Sequence, residues 1–118
     1  MKIVIADDDS ITRQILRNML SEEGHTVVAE AKNGQDVLPA CETHHPDVLY
    51  LDINMPMMSG FEALPQIKQS HPNMHVVMIS ASSTLENVRQ AAKFGVGGFL
   101  VKPFTPAKVL GSLPKPKA

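Results

Sequence analysis

Short apolar runs rich in β-branched residues alternate along the chain with longer segments that mix apolar and polar positions. Runs of this length and composition are typical of strands buried on both faces. They fall at residues 3–6, 26–29, 48–51, 76–79 and 99–101. The pattern therefore predicts five strands, each followed by a helical segment.

The first of these segments has clear helical spacing. Ser10 is predicted to cap the helix and Gly24 to end it. We expect its apolar stripe to face the core and its polar positions to lie off that stripe. The stripe comprises Ile11, Ile15, Leu16, Met19 and Leu20, and the polar positions are Arg13, Gln14, Arg17 and Asn18.

A second clear helix is predicted between the fourth and fifth strands. Residues that can cap a helix precede it, and Gly95 closes it. The capping run is Ser82, Ser83 and Thr84, and the apolar stripe is Leu85, Val88, Ala91, Ala92 and Phe94.

The other helices are less regular. Pro39 and Pro65 each fall about five residues into a candidate helix, just past the first turn where proline is tolerated, so late starts or kinks are expected. Residues 105–113 allow a short fifth helix of about two turns. The PKPKA tail at residues 114–118 is typical of a linker or a frayed end, which assigns the domain to residues 1–113.

Strands that alternate with helices and are apolar throughout indicate a parallel sheet covered on both faces. Right-handed crossovers leave few arrangements for five such units. We predict an α/β fold, a flavodoxin-like (βα)5 three-layer sandwich with strand order 2-1-3-4-5.

Composition removes several classes of function. The chain has 118 residues and a formal charge of -1, with 11 basic and 12 acidic side chains, so neither direct nucleic-acid binding nor membrane insertion is favoured. The apolar run at the start, MKIVIADDD, is too short for a secretory signal, so we expect a cytoplasmic protein. The single cysteine, Cys41, is interpreted as core packing.

Acidic residues follow two of the predicted strands. Asp7 and Asp8 end the first strand, and Asp52 ends the third. In this strand order both ends meet at the switch point, where open parallel sheets bind ligands. Carboxylates about 4 Å apart repel by about 4 kcal/mol at an effective dielectric of 20. A hard divalent cation such as Mg²⁺ offsets this repulsion, whereas Asp9 is interpreted as a helix cap.

Two more polar residues end strands at the same edge. Ser80 ends the fourth strand and Lys102 ends the fifth. Alone, the serine is typical of a helix cap and the lysine of a solvated charge. Pro103 changes this interpretation because it stops the strand and directs Lys102 inward, with the Lys102–Pro103 isomer left open.

With these residues in place, the sequence resembles the response-regulator receiver family of two-component signalling, most closely its single-domain chemotaxis-type members. The resemblance rests on four elements in order, each at a strand's carboxyl end. They are the acidic pair Asp7 and Asp8, the motif DINMPMMSG at residues 52–60, Ser80 with Ala81, and KPF at residues 102–104.

The resemblance implies a phosphoryl-transfer site. Asp52 would accept the phosphoryl group from a phosphohistidine of a sensor kinase or phosphotransfer protein, or from a small acyl phosphate. Asp8, Asp52 and the carbonyl of Asn54 would bind Mg²⁺, and Asp7 would hold a water bound to it. The catalytic set is completed by two groups that contact the phosphoryl oxygens, Lys102 and Ser80.

The resemblance also implies a switch. Phosphorylation would draw in the loop at Ser80 and let Phe99 turn inward, which changes the surface of the fourth helix, fifth strand and fifth helix that a downstream effector contacts. Because Phe99 replaces the tyrosine that is frequent in the family, its inward rotamer is expected even without phosphate. The protein would be a monomer or a weak phosphorylation-dependent dimer. It would not be a conventional enzyme, because it would catalyse only its own phosphorylation and slow autodephosphorylation.

Two alternatives stay open at this point. One is a Mg²⁺-dependent aspartyl phosphatase of the haloacid-dehalogenase type, although that family places an aspartate where this chain has Asn54. The other is a pseudo-receiver that binds partners without phosphorylation.

Residues outside the site are given structural roles: the histidines are interpreted as surface residues and the methionines as anchors of the loop after Asp52. These are His44, His45, His71 and His75, with Met55, Met57 and Met58.

Overall fold

A computed structural model describes residues 1–82 and 84–114, and it contains five strands and five helices in strict alternation. The strands are β1 (Lys2–Ala6), β2 (Thr26–Ala31), β3 (Val48–Asp52), β4 (His75–Ser80) and β5 (Gly98–Val101). The helices are α1 (Ser10–Glu22), α2 (Val37–His44), α3 (Gly60–Ser70), α4 (Leu85–Lys93) and α5 (Pro106–Ser112). A short 3₁₀ turn, Gly34–Asp36, leads into α2.

The strands form one parallel sheet in the order β2-β1-β3-β4-β5, which confirms the predicted fold. Every residue of β3 is buried, because the strand is central and helices cover both faces of the sheet. The order reverses at β1, so β1 and β3 are neighbours although a strand and two helices separate them in sequence. In the register, Ala6 pairs with Leu51 and Asp52 with Ile79.

Two apolar layers enclose the sheet. On one face, side chains of β1 and β3 pack with α1 and α5; on the other, the alternate side chains pack with α2, α3 and α4. Cys41 lies in the second layer with no exposed surface, which confirms its predicted role in core packing.

Helix α1 differs from its prediction in orientation. Its N-cap is Asp9, whose carboxylate accepts from the amide of Ile11, so the interpretation of Asp9 as a helix cap is confirmed and the capping role predicted for Ser10 is wrong. Ile11 and Ile15 are 65% and 45% exposed, while Arg13 is buried. The buried face of α1 is therefore rotated from the predicted apolar stripe, because Arg13 finds polar partners inside the fold. The residues of this buried face are Arg13, Leu16 and Leu20.

The other helix ends follow the predicted signals with one exception. Gly24 and Gly95 take positive φ angles just past α1 and α4, and Thr84 caps α4. Pro39 lies in the first turn of α2, but Pro65 lies inside α3, so α3 does not start late. Of the predicted capping run and tail, Ser83 and residues 115–118 lie outside the described residues. Among those that are described, no helix has the length and apolar character needed to cross a bilayer.

Candidate functional site

Three carboxylates meet at the carboxyl ends of the two neighbouring strands β1 and β3. One oxygen from each of Asp7, Asp8 and Asp52 lies within 4.8 Å of the others. Asp7 and Asp52 are buried, whereas Asp8 is exposed. The predicted acidic cluster therefore exists, and it opens to solvent on the Asp8 side.

Lys102 brings the only basic side chain that forms an ion pair with this cluster in the described part of the chain. Its Nζ lies 2.9 Å from Oδ2 of Asp7 and 3.5 Å from Oδ2 of Asp52. The backbone amide of Lys102 donates to the carbonyl of Ser80 at 2.8 Å, which continues the β4–β5 ladder. The Lys102–Pro103 peptide bond is cis. The two ion pairs show that the side chain of Lys102 points inward, as predicted.

The charges of the cluster are not balanced. Burial, together with the negative charge of Asp7, raises the pKa of Asp52 from its ordinary value of 3.8 to about 6. Burial alone would lower the pKa of Lys102, but its hydrogen bond to Asp7 and the charge of Asp52 raise it above its ordinary value. One ammonium therefore serves two buried carboxylates, and the cluster keeps an excess of negative charge.

This excess, with the chemistry of the donors, suits a divalent cation. Oδ2 of Asp7 is buried, and among the described residues its polar contact is the ion pair with Lys102 at 2.9 Å, an ammonium that Asp7 shares with Asp52. The donors are all oxygens, which Mg²⁺ prefers, and the exposed side at Asp8 leaves room for the waters that it retains. The residues present fit the predicted ion.

The remaining predicted residues surround this cluster. The amide of Asn54 lies 3.4 Å from Oδ1 of Asp52, so the loop after β3 folds back on this carboxylate. Oγ of Ser80 is buried and accepts from the amide of Ser82 at 3.0 Å. This bond closes a local turn and caps no helix, because the N-cap of α4 is Thr84.

Phe99 lies away from the carboxylates, on the edge strand β5. It is half-buried, packs against the apolar layer beneath α4, and lines a cavity of about 190 Å³ with Val88 and Val96. Its register partner in β4 is Met78, two residues before Ser80. The phenyl ring is thus within the element that the predicted switch would move.

Arg13 supports the site and was not predicted to do so. Its guanidinium donates to the carbonyl of Asp7 at 2.6 Å and to Glu30 on β2 at 3.0 Å. The amide of Asp9 donates to Oδ1 of Asp7 at 2.9 Å. These bonds hold the turn after β1 in place. The only sequence signal was the spacing of Arg13 with Leu16 and Leu20 on one helical face.

Gly60 sets the approach of α3 to the site. A Cβ at this position would lie 2.2 Å from the backbone oxygen of Asp52, so only glycine permits this contact. The amide of Gly60 donates to the carbonyl of Ile53 at 2.9 Å. The glycine that ends the DINMPMMSG motif therefore lets α3 begin directly against Asp52.

Several residues outside the site differ from their predicted roles. His71 and His75 are half-buried rather than on the surface, and Nε2 of His75 lies 2.7 Å from the carbonyl of Ser112. Met58 packs on the core, but Met57 is 71% exposed and anchors nothing. The prediction of three anchoring methionines is therefore wrong for Met57.

Comparison with known proteins identifies the family of this chain. Residues 3–113 match the response regulator receiver domain, and the chain belongs to that family. Within the family the chain is of the CheY type. It is 39% identical over 115 residues to the chemotaxis protein CheY of Listeria monocytogenes, an alignment that covers 98% of this chain and 97% of that protein. It is 40% identical over 112 residues to CheY of Pseudomonas aeruginosa, with 93% and 90% covered.

Solved structures lead to the same family. A chain of the CheX-CheY-BeF3-Mg²⁺ complex from Borrelia burgdorferi superposes with a TM-score of 0.91 at 32% identity, covering 95% of this chain and 85% of that chain. The chemotaxis response regulator CheY4 of Vibrio cholerae gives a TM-score of 0.84 at 30% identity, covering 94% and 93%. Both confirm the predicted fold and resemblance.

Proposed function

We propose that this receiver domain is a signalling switch that accepts a phosphoryl group on Asp52 in a Mg²⁺-dependent reaction. The observation that carries the proposal is the pairing of the buried Asp7 and Asp52 carboxylates with one inward lysine, Lys102, beside an exposed acidic residue. The donor is a phosphohistidine on a sensor kinase or phosphotransfer protein.

In the transfer, a carboxylate oxygen of Asp52 attacks phosphorus, the P–N bond to the donor imidazole breaks, and the imidazole leaves with the electron pair. Lys102 pairs with a phosphoryl oxygen and Ser80 donates its hydroxyl to another, so both groups stabilise charge on the transferred group. Hydrolysis later returns the Asp52 carboxylate and inorganic phosphate. The chain thus modifies only itself and is not a conventional enzyme.

Asp8, Asp52 and the carbonyl of Asn54 would hold Mg²⁺, with Asp7 binding one of its waters. When bound, the ion neutralises negative charge that gathers on the transferred group. Support for this assignment comes from three carboxylate oxygens within 4.8 Å of one another that share a single ammonium, and from the Mg²⁺ named in the Borrelia burgdorferi CheY complex.

The output surface we propose is formed by α4, β5 and α5. Leu85 and Val88 of α4 are 63% and 40% exposed, which is unusual for residues on an apolar stripe and favours a contact surface. Phosphorylation at Asp52 would draw in the Ser80 loop and settle Phe99 inward, and this would alter the surface that a downstream effector protein reads. The protein would act in the cytoplasm as a monomer or a weak phosphorylation-dependent dimer.

Incubation with acetyl phosphate and Mg²⁺, followed by intact-protein mass spectrometry, tests the transfer. We expect one added phosphoryl group on the wild-type chain and none on Asp52→Asn. The Asp8→Asn variant, which loses only a proposed Mg²⁺ ligand, should be labelled more slowly and recover partly at high Mg²⁺ concentration.

The same experiment separates the alternatives. No adduct, even with a cognate kinase, would favour the pseudo-receiver. Membership of the receiver family argues against the haloacid-dehalogenase type of phosphatase, which would release phosphate from p-nitrophenyl phosphate over many turnovers. Comparative pull-downs with phosphorylated and Asp52→Asn protein would then identify the effector.

A further inference from the structure

Arg13, on the buried face of α1, holds the peptide that joins the two acids after β1. Its guanidinium donates to the carbonyl of Asp7 at 2.6 Å, and this carbonyl belongs to the peptide bond between Asp7 and Asp8. A buried carbonyl needs a donor, and a charged donor forms a strong hydrogen bond. The orientation of the Asp7–Asp8 peptide therefore depends on Arg13.

The two acids depend on this peptide to different extents. Asp7 is also held by its amide, which donates to the carbonyl of Ala31 at 3.0 Å, and by its carboxylate, which contacts the amide of Asp9 and Nζ of Lys102. Asp8 is exposed, so the direction of its carboxylate follows from the backbone that carries it. A rotation of the peptide would turn Asp8 away from the cluster before it displaced Asp7.

Arg13 is itself anchored to the sheet. Its Nε donates to Oε1 of Glu30 on β2 at 3.0 Å, and Arg17 pairs with the other oxygen of the same carboxylate. Glu30 is the register partner of Ile5 in β1, two residues before Asp7. The guanidinium is thus fixed between β2 and the end of β1, which limits its freedom to swing away from the peptide.

We propose that Arg13 is a positioning residue for the Mg²⁺ site, which aims the carboxylate of Asp8 at the ion by holding the Asp7–Asp8 peptide. This inference rests on the proposed function, in which Asp8 binds Mg²⁺ and Asp7 binds one of its waters. Replacing a residue that orients metal ligands typically weakens metal binding by about 10- to 100-fold.

The charge of Arg13 alone predicts the opposite effect. Replacing Arg13 with a neutral residue removes a positive charge next to the acidic cluster, and this by itself would strengthen the binding of a cation. Loss of positioning would weaken it. The sign of the change in Mg²⁺ affinity therefore separates the two roles.

NMR titration of the full chain with Mg²⁺ tests the proposal, together with acetyl phosphate labelling over a range of Mg²⁺ concentrations. We expect Arg13→Met to weaken Mg²⁺ binding about tenfold or more. Its labelling rate at saturating Mg²⁺ should stay within about threefold of the wild type, because a misdirected ligand mainly affects binding of the ion. Arg13→Lys keeps the charge and one donor, so its Mg²⁺ affinity should lie between those of the wild type and Arg13→Met.

Two control variants separate positioning from stability. Arg17→Met removes the same charge from the same glutamate without a contact to Asp7, and Leu20→Ala destabilises α1 from its buried face. Both should keep the wild-type Mg²⁺ affinity, measured where circular dichroism shows a folded protein.

Wild-type or stronger Mg²⁺ binding in Arg13→Met would overturn the proposal, and so would wild-type binding in Arg13→Lys where Arg13→Met does not fold. An equal loss of affinity in Leu20→Ala, or no Mg²⁺ binding by the wild type, would also overturn it. A wild-type chain that binds Mg²⁺ but takes no phosphoryl group would overturn the proposed function instead, and the Mg²⁺ titration would still decide the role of Arg13.

Discussion

At the scale of single residues, the acidic site is governed by one lysine shared between two buried acids. Lys102 contacts both Asp7 and Asp52, so it offsets repulsion that would otherwise fall on the carboxylates. The same ammonium occupies the oxygen of Asp7 that would bind an ion-bound water, and it approaches Asp52, a proposed ligand of the metal ion. Lys102 therefore sets both the charge of the site and its affinity for cations.

Replacing Lys102 should strengthen Mg²⁺ binding while slowing phosphorylation. In Lys102→Met the competing ammonium is absent, and we expect Mg²⁺ affinity to rise about tenfold, which corresponds to about 1.4 kcal/mol. Phosphorylation by acetyl phosphate should slow at least tenfold because a charge on the transferred group loses its partner. NMR titration with Mg²⁺ measures the first effect and mass spectrometry the second. Lys108→Met, on the exposed surface of α5, is the control, and an unchanged Mg²⁺ affinity in Lys102→Met would contradict this account.

The thiol of Cys41 should be nearly inert in the native protein. Burial, together with the charge of Glu42, raises the pKa of Cys41 from its ordinary value of 9.0 to about 11. Since a raised thiol pKa means less thiolate, roughly a thousandth of the folded thiols are ionised at pH 8, against roughly a tenth when unfolded. Labelling with a disulfide reagent should be at least a hundredfold slower in buffer than in denaturant. Comparable rates in both would show that Cys41 is accessible.

Residues at strand ends could be placed from the sequence because strand order alone brings them together. Asp7, Asp8, Asp52 and Lys102 all follow apolar runs, and each lies at the predicted edge. Arg13 could not be placed, since a buried arginine depends on partners that only the tertiary structure supplies. The approach of the His45 and His71 rings to 5.9 Å was missed because the two residues are distant in sequence.

At the scale of elements, α1 is attached to the sheet through a polar contact as well as an apolar one. Arg13 joins the carbonyl of Asp7 after β1 to Glu30 on β2, and Arg17 pairs with the same glutamate from a more exposed position. The helical period predicted α1 itself. In its first turns, however, the face predicted to lie inward is exposed. Ile11 and Ile15 are left outside because Arg13 occupies the inward position.

The two arginines should differ sharply in their contribution to stability. Arg13→Met leaves the buried carbonyl of Asp7 without its donor, and we expect a loss of about 2–4 kcal/mol in the free energy of unfolding. Arg17→Met removes a partly exposed ion pair and should cost less than about 1 kcal/mol. Urea unfolding of both variants gives the comparison, and equal losses would be inconsistent with the buried role of Arg13.

Glycines at the start of α3 and within α5 should respond oppositely to alanine. Gly60→Ala forces a Cβ against the backbone oxygen of Asp52, so we expect a loss of about 2–3 kcal/mol and slower phosphorylation. Gly111 has open space around its Cβ position inside α5, so Gly111→Ala should stabilise the protein by about 0.5–1 kcal/mol. Thermal unfolding measures both, and a neutral Gly60→Ala would mean that α3 can shift away freely.

At the scale of the whole molecule, the sheet is protected unevenly. Strands β1, β3 and β4 each pair on both sides, whereas β5 pairs only with β4 and is covered by the seven-residue helix α5. The overall topology was predictable because right-handed crossovers leave few choices for alternating strands and helices. How completely helices cover each strand could not be predicted, because it depends on helix lengths and side-chain burial.

Hydrogen exchange should reflect this unevenness. Amides of β3 should exchange only through global unfolding, while those of β5 and α5 should exchange by local opening at rates at least a hundredfold higher. Exchange followed by NMR at neutral pH measures both sets. Equal protection of β3 and β5 would mean that α5 holds the sheet edge more firmly than its length suggests.

Tyr50 connects β3, the strand that ends in Asp52, to the last turn of α5. Its hydroxyl lies 2.9 Å from Oγ of Ser112, inside the core and two residues before Asp52 in the chain. The chain contains one tyrosine and no tryptophan, so its intrinsic ultraviolet emission comes from this ring alone. Tyrosine fluorescence therefore reports on the contact between Tyr50 and α5. A change in its intensity would show whether α5 stays packed against β3 when Asp52, at the end of the same strand, reacts.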